Sequence, residues 1–142
     1  MKAKEIMKAE HLQVCSDETD CRHIAQLMAD NNVGAIPICD AAGKLEGIIT
    51  DRDIVCRIVG PGKSYETPAK DIMSGDLHTC SPDASLKDVE ATMRKFQIRR
   101  LPVVDADLRL LGVIALADLV AALHGKKEHE LITVLEAVAM PQ

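Results

Sequence analysis

Along the chain the spacing of apolar residues changes from helical to strand-like and back, and the whole order then recurs. In DETDCRHIAQLMADNN, Ile24, Leu27 and Met28 recur at helical spacing, with Thr19 or Asp20 placed to cap the helix start. VGAIPIC is a β-type run, DAAGK a turn and LEGIIT a second β-type run, so the pattern predicts a hairpin. DRDIVCRIVG then predicts a helix ending at Gly60. A short helical lead-in, AKEIM, and a brief strand near Leu12–Val14 come before these. The second half predicts a strand over Leu77–Thr79, a helix over Ser85–Phe96, strands in RLPVVD and LRLLGVIA, and a helix in LADLVAALHG. The expected order is β-α-β-β-α, twice. In the tail, Leu131, Val134, Leu135 and Val138 fall at helical spacing, which predicts an added amphipathic helix whose apolar stripe needs a partner surface.

The recurrence is a true repeat. A shift of 65 residues aligns Cys15-Ser16 with Cys80-Ser81, Met28 with Met93, Pro37 with Pro102 and Asp40 with Asp105. It also aligns Gly47 with Gly112, Asp53 with Asp118 and Gly60 with Gly125. The lead-ins KEIM (Lys4–Met7) and KDIM (Lys70–Met73) match at a shift of 66. Ordered matches along a whole unit mark a duplication. Units of roughly 60 residues bury too little surface to be secure alone, so the two are expected to share one core. GPGKSYETPAK, with two Pro and two Gly, marks the linker. The expected domains are residues 1–60 with the lead-in, a linker at 61–69, a second unit at 70–125 and a C-terminal helix at 126–142.

Composition narrows the function. Of 142 residues 47% are hydrophobic, yet there is one Phe, one Tyr and no Trp, so the core is aliphatic and no base-stacking platform is available. A net charge of −5 argues against a role in binding nucleic acid, and RKFQIRR is too interrupted by apolar residues to change that. Five cysteines without a CxxC pair, a charged start (MKAKEIMKAE) and no apolar run near the ~18 residues of a membrane span lead to the expectation of a cytoplasmic protein with reduced thiols and no membrane contact. His11, Cys15, Cys21, His23 and Cys80 are metal ligands by type, but lack the paired spacing of structural zinc. No nucleophile elbow, G-x-G-x-x-G or P-loop is present, so no enzyme activity and no metal are expected.

Chemistry concentrates in GIITDRD, where a strand ends and a hydroxyl and three charges follow at once. A helix start carries N–H donors and partial positive charge, which suits a phosphate. Thr50 could cap those donors or bond a phosphate oxygen, and Asp53 could accept the vicinal hydroxyls of a ribose. The same pair, three residues apart, equally fits a capping box that only holds the helix end. Arg52 and Arg57 on that helix could reach a phosphate or a second subunit, or stand as solvated charges.

MADNNVGAIPICDAAGKLEGIITDRDIV and MRKFQIRRLPVVDADLRLLGVIALADLV resemble two cystathionine-β-synthase (CBS) domains in tandem. The family's pattern is a hydrophobic-Pro-hydrophobic strand, a turn, and a strand ending in Gly-h-x-Ser/Thr-x-x-Asp. From Lys4 to about His124 the chain is similar to such a pair, or Bateman module, and to stand-alone bacterial pairs of the hypoxic-response type. The resemblance implies an α/β (α+β) fold of two pseudo-twofold units packed through their sheets, with clefts that take adenosine-containing ligands. It implies ribose acceptors at Asp53 and Asp118, a hydroxyl near phosphate at Thr50, and an adenine slot lined by Ala35, Ile36, Pro37, Leu101 and Pro102. Arg99 and Arg100 take the positions of phosphate-binding cations, for which a planar guanidinium is suited.

The second copy departs from the pattern, with Ala115 where Ser or Thr is expected. The basic residues are equally one-sided, since Arg94, Lys95, Arg99 and Arg100 correspond to Ala29, Asp30, Gly34 and Ala35. The two sites are therefore expected to differ, one binding far better than the other. The expected function is a regulatory module sensing AMP, ADP, ATP, NAD or S-adenosylmethionine, with no obligatory cofactor. It is expected to act as a homodimer on a protein partner that the sequence does not identify. The competing readings are an interaction dimer with vestigial clefts, favoured by Ala115, and a metal- or redox-responsive dimer using the cysteines.

Overall fold

The computed structural model of the protein describes residues 1–124 and 128–139. Its elements are α1 (Ala3–Ile6), α2 (Cys21–Asn31), β1 (Ala35–Cys39), β2 (Leu45–Thr50), α3 (Asp51–Ile54), α4 (Leu86–Phe96), β3 (Arg100–Val104), β4 (Leu110–Ala115), α5 (Leu116–Leu123) and α6 (Glu128–Ala139). A π-helical turn, Val55–Val59, continues α3, and a 3-10 turn covers Ala69–Asp71. The chain divides into two compact units. The first-repeat unit is contiguous, Gln13–Leu77, whereas the second-repeat unit joins Met1–Leu12 to the residues from His78 onward. The pairing of Gly60 with Gly125, and the ends of the expected helix at 126–142, fall at residues 125–127 and 140–142, outside the described residues.

The first-repeat unit is built on the β1–β2 hairpin, in which Ala35 pairs with Thr50, Ile36 with Ile49, Pro37 with Ile48 and Ile38 with Gly47. α2 precedes it, and the Asp20 carboxylate caps this helix by accepting the His23 N–H at 2.7 Å. Thr19, the other candidate cap, bonds Ser16 instead. Asn32 closes the helix with φ 52°, the left-handed conformation its short polar side chain tolerates. The brief strand expected near Leu12–Val14 is reduced to one residue. Cys15 forms a single parallel bridge to Ile38, donating to the Pro37 carbonyl and accepting from the Cys39 N–H. The closing helix is irregular, four α-helical residues followed by the π turn. Gly60 stays right-handed (φ −57°), donating to the Val55 carbonyl at 2.8 Å, and the chain reverses at Gly62 with φ 76°.

The second-repeat unit follows the same plan. β3 pairs with β4 in the corresponding register, Arg100 with Ala115 through Val103 with Gly112. Ser85 and Asp88 cap α4 reciprocally, and Gln97 closes it at φ 52°. The expected Leu77–Thr79 strand is again one bridge, from Cys80 to Val103. α6 packs on α4 and α5, placing Val134 and Val138 in the core.

The buried apolar residues make two clusters, each inside one unit, and they match position by position: Ile24 with Val89, Met28 with Met93, Ile36 with Leu101, Ile38 with Val103, Ile49 with Ile114 and Ile58 with Leu123. Each cluster gains enough apolar surface from a segment outside its own repeat. Ala3 of the N-terminal lead-in is buried in the second-repeat core, and Ala69 at the end of the linker and Ile72 of the second lead-in are buried in the first. Lys8 bridges Val113 and Ser74 bridges Ile48, so each lead-in adds to the far strand of its hairpin. Among the described residues no helix is long and apolar enough to cross a membrane.

Candidate functional site

In each unit the second strand of the hairpin turns directly into a helix, and the two turns carry most of the candidate residues. In the first-repeat unit the Asp53 Oδ2 accepts the Thr50 N–H at 2.8 Å, and the Thr50 Oγ1 accepts the Asp53 N–H at 3.2 Å. This is a complete capping box. The Asp51 N–H donates to the Gly34 carbonyl at 2.9 Å, and the Arg52 N–H to the Asp51 Oδ1 at 2.9 Å. All three first-turn amides are thus occupied. The chain's own acceptors take up the first-turn donors, which is the capping alternative for Thr50. The remaining carboxylate oxygen, Asp53 Oδ1, lies 3.8 Å from Arg57 Nε, and Arg57 Nη1 donates to the Ile72 carbonyl at 2.6 Å. Arg57 is therefore a tie between α3, the π turn and the lead-in, rather than an unpaired surface charge.

The second-repeat turn has the same backbone and different chemistry. Asp118 Oδ2 accepts the Ala115 N–H at 2.8 Å, and the Leu116 N–H donates to the Arg99 carbonyl at 2.8 Å. Ala115 and Leu116 occupy the positions whose side chains take up the second and third amides in the other unit, and neither carries an acceptor. Ala122 stands where Arg57 stands in the first copy. Among the described residues no cation lies within ion-pair distance of Asp118, so its second oxygen is free of charge pairing.

The other candidates sit beside these turns. Ala35 is paired with Thr50 and Arg100 with Ala115, so the first residue of each hairpin flanks the turn. Arg99 is exposed and Arg100 half-buried, and among the described residues neither guanidinium has a hydrogen-bond or ion-pair partner. Two cations and a carboxylate oxygen without ion-pair partners among the described residues thus belong to one unit. Ile36 and Leu101 are wholly buried in the cores of their own units, which leaves only their backbones for a ligand. Pro37 and Pro102 are buried too, and each offers a carbonyl that is already bonded, to the Cys15 and Cys80 N–H groups.

Sequence reasoning left open the part played by Arg57, although its position four residues after Asp53 is the spacing of a helical ion pair. Among the described residues no three His, Cys, Asp or Glu side chains gather as a metal-holding group. Burial pushes the Cys39 and Cys80 thiols up to about 11 and raises Cys15, so these sulfurs stay protonated at neutral pH.

Comparison with known proteins fits this geometry. Residues 3–60 and 69–125 each match the CBS domain family. The chain is 40% identical to the CBS domain-containing protein YhcV of Bacillus subtilis over 116 residues, covering 82% of this chain and 81% of that one. It is 31% identical to Hypoxic response protein 1 of Mycobacterium tuberculosis over 140 residues, covering 98% and 94%. Among solved structures, Hypoxic Response Protein I with two coordinated zinc ions superposes with a TM-score of 0.78 at 30% identity, covering 87% of this chain and 99% of that one. The CBS domain pair of MJ0100, in complex with 5′-methylthioadenosine and S-adenosyl-L-methionine, gives a TM-score of 0.78 at 28% identity, covering 89% and 98%. The chain therefore belongs to the CBS domain family and carries two copies of the domain in tandem.

Proposed function

We propose that the protein is a non-catalytic regulatory module that binds an adenosine-containing ligand, and that the working site is the turn at Ala115–Asp118. The observation that carries this reading is the state of Asp118. One oxygen is fixed by the Ala115 N–H at 2.8 Å, which orients the carboxylate, and the other has no cation near it among the described residues. A carboxylate so held is suited to accept hydrogen bonds from vicinal ribose hydroxyls. Arg99, Arg100 and first-turn amides that no neighbouring side chain takes up suit a phosphate or carboxylate on the same ligand. The adenosyl ligands of the MJ0100 domain pair support the ligand class. At Thr50–Asp53 the complete capping box favours a structural role.

The module acts in the cytoplasm as a homodimer, and the ligand regulates a partner protein by binding one conformation of the module more tightly than another. Isothermal titration of protein freed of carried-over ligand against AMP, ADP, ATP, NAD and S-adenosylmethionine tests the reading. One site per chain is expected, weakened by Asp118→Ala by about 1.5–3 kcal/mol, roughly tenfold or more, and little changed by Asp53→Ala. Absence of binding across the panel by a folded protein would leave both turns as helix caps and the chain as an interaction module.

A further inference from the structure

Duplication gave both turns the same carboxylate on the same backbone, yet the two carboxylates are differently engaged. Asp53 Oδ2 is held by the Thr50 N–H as Asp118 Oδ2 is held by the Ala115 N–H, both at 2.8 Å. The difference lies at the second oxygen, where Arg57 Nε approaches Asp53 to 3.8 Å, while Ala122 stands at the matching position and no cation pairs with Asp118 among the described residues. Arg57 is itself anchored, because its Nη1 donates to the Ile72 carbonyl at 2.6 Å, and Ile72 is buried in the first-repeat core. The guanidinium is tethered at Nη1 with its Nε facing the carboxylate, so a ligand arriving at Asp53 meets a cation that is already held there.

We propose that Arg57 is the residue that makes the two turns unequal, by holding Asp53 closed to a vicinal diol. The inference rests on the reading that the aspartate of each turn accepts the ribose hydroxyls. A diol approaching Asp53 would have to displace Arg57 from the carboxylate and strain its bond to the Ile72 carbonyl, whereas at Asp118 it meets neither obstacle. Arg57 is thus a specificity-determining residue: it sets the number of ligands bound per chain.

The test uses 5′-methylthioadenosine, which has the diol and no phosphate, so that loss of a positive charge does not itself weaken attraction to the probe. Equilibrium dialysis of wild-type protein is expected to give one site per chain, and Arg57→Ala two, the second within about tenfold of the first. Ala122→Arg, which places a guanidinium four residues after Asp118, is expected to weaken the wild-type site at least tenfold, and it keeps the test open if Arg57→Ala loosens the first-repeat unit. One site in Arg57→Ala, abolished by adding Asp118→Ala, would overturn the inference and leave the proposed function standing. Weaker AMP binding in Arg57→Ala with no second site would overturn it too, making Arg57 a phosphate ligand. If neither wild type nor Arg57→Ala binds the probe or AMP, the proposed function and the inference fall together.

Discussion

Met7 lies over Gly112 so closely that a Cβ built on that glycine would stand 2.7 Å from the methionine sulfur. Met73 holds the same relation to Gly47, also at 2.7 Å. In both units a lead-in is docked by a methionine over a bare stretch of strand, and the conserved spacing of KEIM and KDIM is explained by that contact. The two sites differ in one respect. At Gly112 the added Cβ would also meet the Lys8 carbonyl at 2.9 Å, whereas at Gly47 the three nearest atoms all belong to the Met73 side chain.

Gly112→Ala is therefore expected to be the more damaging substitution. It must push back the Lys8 backbone, which exchanges two hydrogen bonds with Val113 at 2.9 and 3.0 Å. A loss of about 2–3 kcal/mol is expected there, against about 1 kcal/mol for Gly47→Ala, where the methionine can turn aside. Urea denaturation of the two variants measures the difference. Equal losses would mean that the Lys8 backbone yields as readily as a side chain.

The helix caps give a second expectation, in opposite directions for the two repeats. Thr50→Ala removes the acceptor of the Asp53 N–H and should cost about 0.5–2 kcal/mol. Ala115→Ser supplies the acceptor that α5 lacks and should stabilise by up to about 1 kcal/mol. Thermal melts of both variants read the sign directly. A destabilised Ala115→Ser protein would show that the turn has no room for a hydroxyl.

Titration of the Cys39 and Cys80 thiols sets a pH dependence. Cys39 and Cys80 are raised from 9.0 to about 11, mainly by burial and for Cys39 also by Asp40 and Glu46. Above pH 9 the unfolded chain releases these protons while the folded chain keeps them. Stability should therefore be full below about pH 9 and fall as the pH rises towards 11. Denaturation midpoints between pH 8 and 11 check this, with Cys39→Ala and Cys80→Ala expected to flatten the slope.

Exposure separates the cysteines at neutral pH. Cys56 is exposed on the π turn, while Cys15, Cys21 and Cys39 are buried. Brief treatment of native protein with iodoacetamide should modify Cys56 first, as mass mapping of the labelled peptides would show. Early labelling of Cys39 would indicate local opening of the β1–β2 hairpin.

α6 supplies a further measurable part of the second-repeat core. Val134 is wholly buried and Val138 nearly so, and Gln97 Nε2 reaches the Ala137 carbonyl at 3.3 Å. Val134→Ala and Val138→Ala should each cost about 1–3 kcal/mol in chemical denaturation. Ile132→Ala, on an exposed position of the same helix, should cost little. A large loss at Ile132 would indicate that its surface is covered in solution.

Much of this architecture is written in local patterns, and the exceptions have physical causes. Apolar periodicity and capping residues identify α2, α4 and both hairpins, because these features depend on near neighbours. The first strand of each repeat fails to extend beyond Cys15 and Cys80, since only one residue on each side pairs with the hairpin edge, which no local pattern reveals. The docking place of the first lead-in is hidden for a related reason. Nothing in the order of Lys4–Met7 shows that this segment serves the other repeat, 100 or so residues away in the chain. At the candidate site the sequence distinguishes Thr50 from Ala115, but which amides and oxygens remain open depends on hydrogen-bond geometry. In the reading proposed above, that geometry reverses the weight of the substitution, and the turn with the hydroxyl is the structural one.

The division of the N-terminal lead-in from its own repeat also fixes an order in time. Residues 13–77 form a contiguous unit, so every segment of it has been made once residue 77 leaves the ribosome. The strand that receives Lys8 ends at Ala115, so Met1–Leu12 must wait while about a hundred further residues are made, roughly 5–20 s at ~5–20 residues per second. During that interval Ile6 and Met7 have no native partner, and the newborn chain carries a sticky N-terminal segment ahead of a finished unit.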